Sequence, residues 1–288
     1  MSSMLSIIIP SLNEGKNVEM TINNIKSTID IDDYEIIVAD CGGTDLSSVS
    51  SMKDVFIYRS KQGAPQSRNF GAEHAHGDIL LFADGHVKFQ KGWAQQILNS
   101  CKNTAGIVAP CLTAMSDGEA RGCGFEWTDL QMNINWLPDL KQEIHEIPFA
   151  GAGCMAIQKK VFFDIGEFDS GLRLWGSEDS ELSLRTWLLG YQVVCDPSIR
   201  VGHLFRETHP YHISSFNELY NIIRLGIAHF SVKRLEKFLY ANSESPLFLE
   251  ALLEVQKDGI LARRKHLFTT RTRSDDWFFE KFKMAEWD

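Results

Sequence analysis

Two short phrases hold residues able to act together: Asp84-Gly85-His86, which closes the apolar run Leu80–Ala83, and Arg200-Val201-Gly202-His203. In an extended segment, residues i and i+2 face the same side. Asp84 and His86 therefore converge where the predicted strand ends. His203 closes a second strand-like run and is placed to supply a third ligand. One carboxylate and two imidazoles suit a divalent cation of intermediate softness, with Mn²⁺ expected ahead of Mg²⁺. Beside a nucleotide-type sheet, such an ion grips a diphosphate. A third phrase, Trp175-Gly176-Ser177-Glu178-Asp179-Ser180-Glu181, sets three acids in the first turn of a predicted helix. The helix dipole alone favours acids there, by about 0.3–1 kcal/mol each. It does not account for the Trp-Gly pair before them. The same dipole is expected to lower the Asp179 pKa and keep it ionised, as a general base must be.

These residues need a scaffold, and the first part of the chain reads as alternating strands and helices. Strands are expected at Leu5–Pro10, Tyr34–Ala39, Val55–Tyr58 and Asp78–Ala83, all largely apolar and so suited to a sheet covered on both faces. Helices are expected over 16–28, 65–75 and 93–101, the second with proline near its start. Repeated β-α units give a doubly wound, mostly parallel sheet, with ligands beyond the carboxyl ends of its strands. Ser11, Asn13, Asp40, Asp84 and His86 all fall at or just after such ends. The stretch from Cys111 to Phe149 is irregular and rich in Gly, Trp and Asn; it reads as an acceptor-side loop or extra strands. A helix is expected over 177–189. Beyond Tyr211 the pattern is helical, broken at Pro246. The expected division is a catalytic domain over 1–211 and a helical extension over 212–288.

The 288 residues, 44% of them hydrophobic, suffice for one large α/β domain with an appendage. A formal net charge of −9 disfavours general nucleic-acid binding. No apolar run is long enough to cross a bilayer, and the first residues lack a signal-peptide pattern. Six scattered cysteines (Cys41, Cys101, Cys111, Cys123, Cys154 and Cys195) are expected as reduced thiols in a cytoplasmic protein. The local exception to the acidic balance is Arg263-Arg264-Lys265-His266 with Arg271 and Arg273. It reads first as a solvated face and, in the alternative, as a peripheral contact with a membrane or an anionic acceptor. The helical end is also a candidate homodimer surface.

The ordered motifs resemble the family two glycosyltransferases, which share the GT-A fold. Ile7-Ile8-Ile9-Pro10-Ser11-Leu12-Asn13-Glu14 is similar to that family's first strand and loop. Val38-Ala39-Asp40-Cys41-Gly42-Gly43-Thr44-Asp45 is similar to its second-strand signature, with Cys41 where a second acid is usual. Ser67-Arg68-Asn69-Phe70-Gly71 resembles the helix before the metal strand. Asp84-Gly85-His86, the Trp175–Leu182 segment and Arg200-Val201-Gly202-His203-Leu204-Phe205-Arg206 are similar to the polypeptide N-acetylgalactosaminyltransferases. One departure matters. That group carries Asn after the Glu of its Trp-Gly-x-Glu motif and retains anomeric configuration. This chain carries Asp179, as do inverting relatives such as the β-1,4-galactosyltransferases, in which the Asp acts as base.

The resemblance, over about residues 5–211, implies a metal-dependent transfer of a hexose or N-acetylhexosamine from a UDP-sugar to a glycan, peptide or lipid-linked hydroxyl. It implies Asp84, His86 and His203 as metal ligands. Donor contacts would come from Pro10, Ser11, Asn13, Glu14, Asp40, Arg68, Asp84, Gly85, Arg206 and Tyr211, with Asp40 on the uracil and Arg206, His209 and Tyr211 ordering a loop over the donor. Asp179 would be the base, Glu178 would bond sugar hydroxyls and Trp175 would pack on sugar or acceptor. The alternatives are a retaining polypeptide-type transferase, a non-catalytic sugar-nucleotide binding module and a nucleotidyltransferase. The last is disfavoured by the lack of a Gly-rich, Arg/Lys-bearing loop after the first strand.

Overall fold

The computed structural model describes residues 3–61, 63–116, 120–139, 142–206, 208–284 and 287. The elements in chain order are β1 (Leu5–Ser11), α1 (Asn17–Thr28), β2 (Tyr34–Asp40), β3 (Val55–Arg59), α2 (Ala64–His74), β4 (Ile79–Ala83), β5 (Val87–Phe89), α3 (Trp93–Asn103), β6 (Gly106–Ala114), β7 (Ala120–Gly122), β8 (Phe125–Trp127), β9 (Ile134–Trp136), β10 (His145–Glu146), β11 (Cys154–Gln158), α4 (Lys159–Asp164), α5 (Glu178–Leu188), β12 (Gln192–His203), α6 (Ser215–His229), α7 (Val232–Asn242), α8 (Phe248–Lys257), α9 (Ile260–Thr270) and α10 (Asp275–Phe282).

Side-chain alternation divides the core. Ile7 and Ile9 of β1 enter one apolar cluster, with Leu81 and Ala83 of β4; Ile8 enters the other, with Leu80 and Phe82. Both faces of these strands are thus buried, which is why they read as continuous apolar runs. Helix α1 covers the first cluster through Val18, Ile22 and Ile25, spaced as one helical stripe. The main sheet runs β10-β12-β6-β11-β4-β1-β2-β3, and β8 and β9 form a separate pair. Strands β3, β2, β1 and β4 are parallel, as the β-α alternation predicts. β11 is antiparallel to both β4 and β6, and β12 is parallel to β6. The expected mostly parallel doubly wound sheet is therefore present, with antiparallel strands at β5, β7, β10 and β11.

The irregular middle holds strands after all. β6 and β11 are central and fully or nearly buried, and β8–β9 is a hairpin bearing Phe125, Trp127, Ile134 and Trp136 at alternate positions. The helical extension is present too. Tyr220, Ile223 and Ile227 of α6 pack with Ala251, Val255, Ile260 and Leu267 of α8 and α9 in a third cluster.

Two expectations change here. Cys111 and Cys123 are not free thiols: they form a disulfide. β6 pairs antiparallel with β7, Leu112 opposite Gly122, so the flanking cysteines meet across the strands with Cα atoms 4.3 Å apart. Sequence spacing cannot show that register. Cys41, Cys101, Cys154 and Cys195 remain thiols. The arginines of the basic C-terminal stretch also turn inward, while Lys265 and His266 are exposed as a solvated face would be. Arg263 binds Asp169 and Glu181, Arg264 and Arg271 donate to backbone carbonyls of α6 and the residue after it, and Arg273 donates to those of Trp187, Gly190 and Tyr191. These guanidiniums fasten α9 and the following turn to the body of the protein.

Candidate active site

Strand ends bring the chemistry together. Ser11 and Asp40 are opposite each other at the carboxyl ends of β1 and β2. Asp84 follows β4 at the same edge, where its N–H donates to Gly153 O at 3.0 Å. The short strand β5 then pairs antiparallel with the end of β12, Val87 opposite His203. That pairing sets His86 beside His203, with ring centroids 4.9 Å apart. Both Nε2 atoms face Asp84: His203 Nε2 lies 3.3 Å and His86 Nε2 3.8 Å from its Oδ2. One ligand atom from each of the three residues lies within 4.8 Å of the others. Gly153 permits this approach, because a Cβ there would sit 3.0 Å from the His203 ring.

The surrounding groups orient the cluster. Glu14 Oε2 takes the Nδ1 side of His86 at 3.2 Å, the arrangement by which a carboxylate fixes the tautomer of a metal-binding imidazole. Arg206 also pairs with Glu14. Burial pushes the Glu14 pKa up, but hydrogen bonds from His86 and Arg206 outweigh it and hold it below the ordinary value. Arg68 is 3% exposed and bridges two acids, Asp84 Oδ1 at 2.9 Å and Glu178 Oε1 at 3.0 Å. Against the opposing effect of burial, His203, Arg68 and His86 hold the Asp84 carboxyl well below the carboxylate range.

Asp179 is different. Its oxygens accept from the N–H groups of Ser180 (2.8 Å) and Ala152 (3.4 Å), and among the described residues no cationic side chain hydrogen-bonds it. Burial, then the adjacent Glu178 carboxylate, push its pKa up to about 7. This overturns the expectation that the helix N-terminus lowers it: the N–H groups favour the ionised form, but desolvation is larger. A pKa there matches a general base working near neutrality better than a depressed one would.

The loop before α5 is held from outside. Leu174 (φ 50°), Gly176 (φ 99°) and Ser177 (φ 69°) all occupy the left-handed region, costly for the two that are not glycine. Buried Asn221 of α6 holds them. Its Oδ1 accepts from Arg173 N at 2.7 Å, and its Nδ2 faces the carbonyls of Arg173, Trp175 and Gly176 at 2.9–3.1 Å. Gly176 N in turn donates to Glu178 Oε2 at 2.8 Å. The helical extension thus positions the loop that leads into Glu178 and Asp179.

A cleft of about 800 Å³ opens over these groups. Of the residues expected at the site, Pro10, Ser11, Glu14, Arg68, Asp84, Gly85, His86, Trp175, Glu178, Asp179, His203, Arg206, His209 and Tyr211 line it. Two are placed otherwise. Asp40 has its oxygens engaged by Arg59 (2.7 Å) and the Gly42 N–H (2.8 Å), while its neighbour Cys41 lines the cleft. Asn13 is exposed and donates to Pro210 O at 3.4 Å, joining the β1 loop to the segment after β12. That segment lies across the cleft: Phe205 packs on Trp136, and His209 packs on Trp175 with centroids 4.6 Å apart. Glu14 as a support for His86, Asn221, and the aromatic hairpin β8–β9 on the far wall were not singled out from sequence. The Phe-x-Trp and Ile-x-Trp alternation was the available signal for the hairpin.

A doubly wound sheet with an Asp-x-His turn at its carboxyl edge, extended by antiparallel strands and a covering loop, is the GT-A architecture. The chain belongs to glycosyl transferase family 2, whose sequence pattern matches residues 6–166; that of the N-terminal domain of galactosyltransferase matches residues 136–212. Polypeptide N-acetylgalactosaminyltransferase 3 of Drosophila melanogaster is 31% identical over 178 residues, 54% of this chain and 26% of that protein. Polypeptide N-acetylgalactosaminyltransferase 10 of Mus musculus is 25% identical over 310 residues, 98% of this chain and 49% of that protein. The chain spans about a quarter to a half of the length of these two relatives. The crystal structure of GalNAc-T7 with UDP, GalNAc and Mn²⁺ superposes with a TM-score of 0.75 at 22% identity, over 98% of this chain and 56% of that one.

Proposed function

We propose that this protein is a metal-dependent glycosyltransferase that moves a hexose or N-acetylhexosamine from a UDP-sugar to a hydroxyl acceptor. The observation that carries the reading is the convergence of His86 Nε2 and His203 Nε2 on Asp84 Oδ2 at the floor of the cleft. The donor set fits a divalent ion: one carboxylate and two imidazoles present ligand atoms within 4.8 Å of one another, and Glu14 supports His86 from behind. Mn²⁺ suits this set, and such an ion is named in the GalNAc-T7 complex. When bound, it supplies positive charge to a diphosphate leaving group.

The chain's own residues do the rest. Ser11, Cys41 and Gly85 line the donor side of the cleft, and Arg206 and Tyr211 of the covering segment face it. Glu178, tied to Arg68 and Gly176, holds the loop that presents Asp179. Asp179 takes the proton from the acceptor hydroxyl as it attacks the anomeric carbon. That role predicts inversion. Trp175 and the Phe125, Trp127 and Trp136 wall give an apolar surface on which a sugar ring or an acceptor packs.

A second reading, retention at the anomeric carbon, is favoured by the likeness to polypeptide N-acetylgalactosaminyltransferases. The test begins with calorimetric binding of UDP and UDP-sugars to wild type and His203→Ala, with Mn²⁺ and with EDTA. Metal-dependent binding lost in the variant supports the donor site; binding indifferent to metal and variant refutes it. NMR of the product's anomeric configuration then separates inversion from retention.

A further inference from the structure

The tip of the β8–β9 hairpin is held from within and from outside. Asp129 takes up its polar hydrogens. Asp129 Oδ1 accepts from Gln131 N at 3.0 Å and Asn133 N at 3.1 Å, Oδ2 from Asn133 Nδ2 at 2.9 Å, and the carbonyl from Met132 N at 3.1 Å. Met132, buried and not a glycine, sits at φ 61°, a conformation that persists only where the surroundings enforce it. The outer hold comes from the end of α7. Asn242 donates to Leu130 O at 2.9 Å, and Gln131 Nε2 donates to Ala241 O at 2.9 Å. A turn fixed in this way keeps its shape when a ligand arrives, which lowers the ordering cost of binding.

The same bonding decides what this wall offers. Gln131 and Asn133 line the cleft, and so does Glu218 of α6. Each amide nitrogen is held by the protein, so the amide oxygen is the end left free. The hairpin and α6 thus bring three oxygen acceptors to the cleft and, among the described residues, no cationic side chain. Half-buried Trp136 lies with them. A pyranose has an apolar C–H face, which packs on an indole, and a rim of hydroxyls, each a donor to such oxygens. An anionic acceptor would meet only oxygens and the Glu218 charge. A peptide, the acceptor named for the polypeptide N-acetylgalactosaminyltransferases, would need donors for its carbonyls, and the tip's N–H groups at Gln131, Met132 and Asn133 are spent. Resting on the glycosyltransferase reading of the cleft, we propose that the acceptor is an uncharged saccharide selected by Gln131, Asn133 and Glu218, with its ring packed on Trp136.

The test is saturation-transfer NMR on the full chain, which needs no donor. The probes, at equal concentration, are the methyl glycosides of glucose, galactose, mannose and N-acetylglucosamine, the methyl glycoside of glucuronic acid, and a short peptide of Ser, Thr and Pro. At least one neutral glycoside is expected to receive saturation, and the glucuronide and the peptide none. Asn133→Ala and Glu218→Ala, both at exposed positions, should each weaken binding of that glycoside by up to roughly tenfold. Calorimetric UDP binding with Mn²⁺, which reads the donor side alone, should not move. Glu218→Lys should admit the glucuronide. Saturation of the peptide in place of the glycosides, of the glucuronide as strongly as of the neutral sugars, or of no glycoside at all overturns the proposal. Failure of UDP to bind with Mn²⁺ would refute the donor reading instead, and glycoside contacts that answer to Asn133 and Glu218 would stand without it.

Discussion

Helix α5 carries acids into two buried charge clusters, and the two are balanced in opposite ways. At the cleft, Asp84, Glu178 and Asp179 face a single guanidinium, Arg68. Less than a turn further on, Glu181 faces Arg185 and Arg263, and Asp169 beside it faces Arg224 and Arg263. Glu181 also meets His229 Nε2 at 2.9 Å. The carboxylates are of one kind and share one helix N-terminus, yet burial outweighs all else at Asp179, while Arg185, Arg263 and His229 overcome it at Glu181 and hold it well below the ordinary value. Partners decide the outcome. The cluster saturated with cations fastens the C-terminal helices. The cluster short of positive charge holds the three potential ligands of a divalent ion and an acid raised towards neutrality, the kind of imbalance found at functional sites.

The largest expected effect comes from removing the unpaired acid. Asp179→Asn should lower kcat by about 10²–10⁴-fold while leaving metal-dependent UDP-sugar binding intact. Its thermal midpoint should not fall, because an ionisable group disfavoured by burial has been removed. Parallel losses in binding and turnover would refute the base assignment. The matching change in the saturated cluster should act on the fold instead. Glu181→Gln leaves Arg185 and Arg263 without their buried counter-charge, and breaking such a pair costs about 3–5 kcal/mol. Denaturant melts would measure it; a loss near zero would mean that the two clusters do not differ as argued. Smaller again is Asn221→Ala, which frees the carbonyls of Arg173, Trp175 and Gly176. About 1–3 kcal/mol of stability should go. Misplacing the Glu178–Asp179 turn by an ångström should lower kcat by up to ~10²-fold. Stability loss with unchanged kcat would make Asn221 a packing residue only.

What was legible in the sequence was local. Asp84 and His86 were readable because a two-residue period at a strand end places both side chains on one side, and His203 because it closes the run Val201-Gly202. The β-α alternation predicted the parallel half of the sheet. What was not legible depends on partners far along the chain. Arg68 meets Glu178 across 110 positions, Glu14 meets Arg206 across 192, and Asn221 meets Arg173 across 48. β5 is only three residues long, too short for its buried-exposed-buried alternation to mark it as a strand, yet its pairing with β12 builds the cluster. The Asp179 pKa was misread for the same reason. The dipole is visible in sequence, but desolvation exists only once the cleft walls have packed.

Per unit of change the mildest effect, and the sharpest for the comparison, is the pH response. Asp179 must be ionised to accept a proton, and its pKa is raised to about 7. At saturating Mn²⁺ and donor, kcat should therefore rise with pH to a plateau above 7 and fall about tenfold per unit below it. Glu181 moves the other way. Its folded-state pKa is depressed, so its stabilising contribution is complete above the unfolded value of about 4.3 and is lost as pH falls towards the folded one. Between pH 5 and 7 the protein should lose activity without losing that contribution to stability. Following kcat and the denaturation midpoint together over this window tests both halves of the comparison. A midpoint that tracks kcat would show that a single charge network, not two, responds to pH.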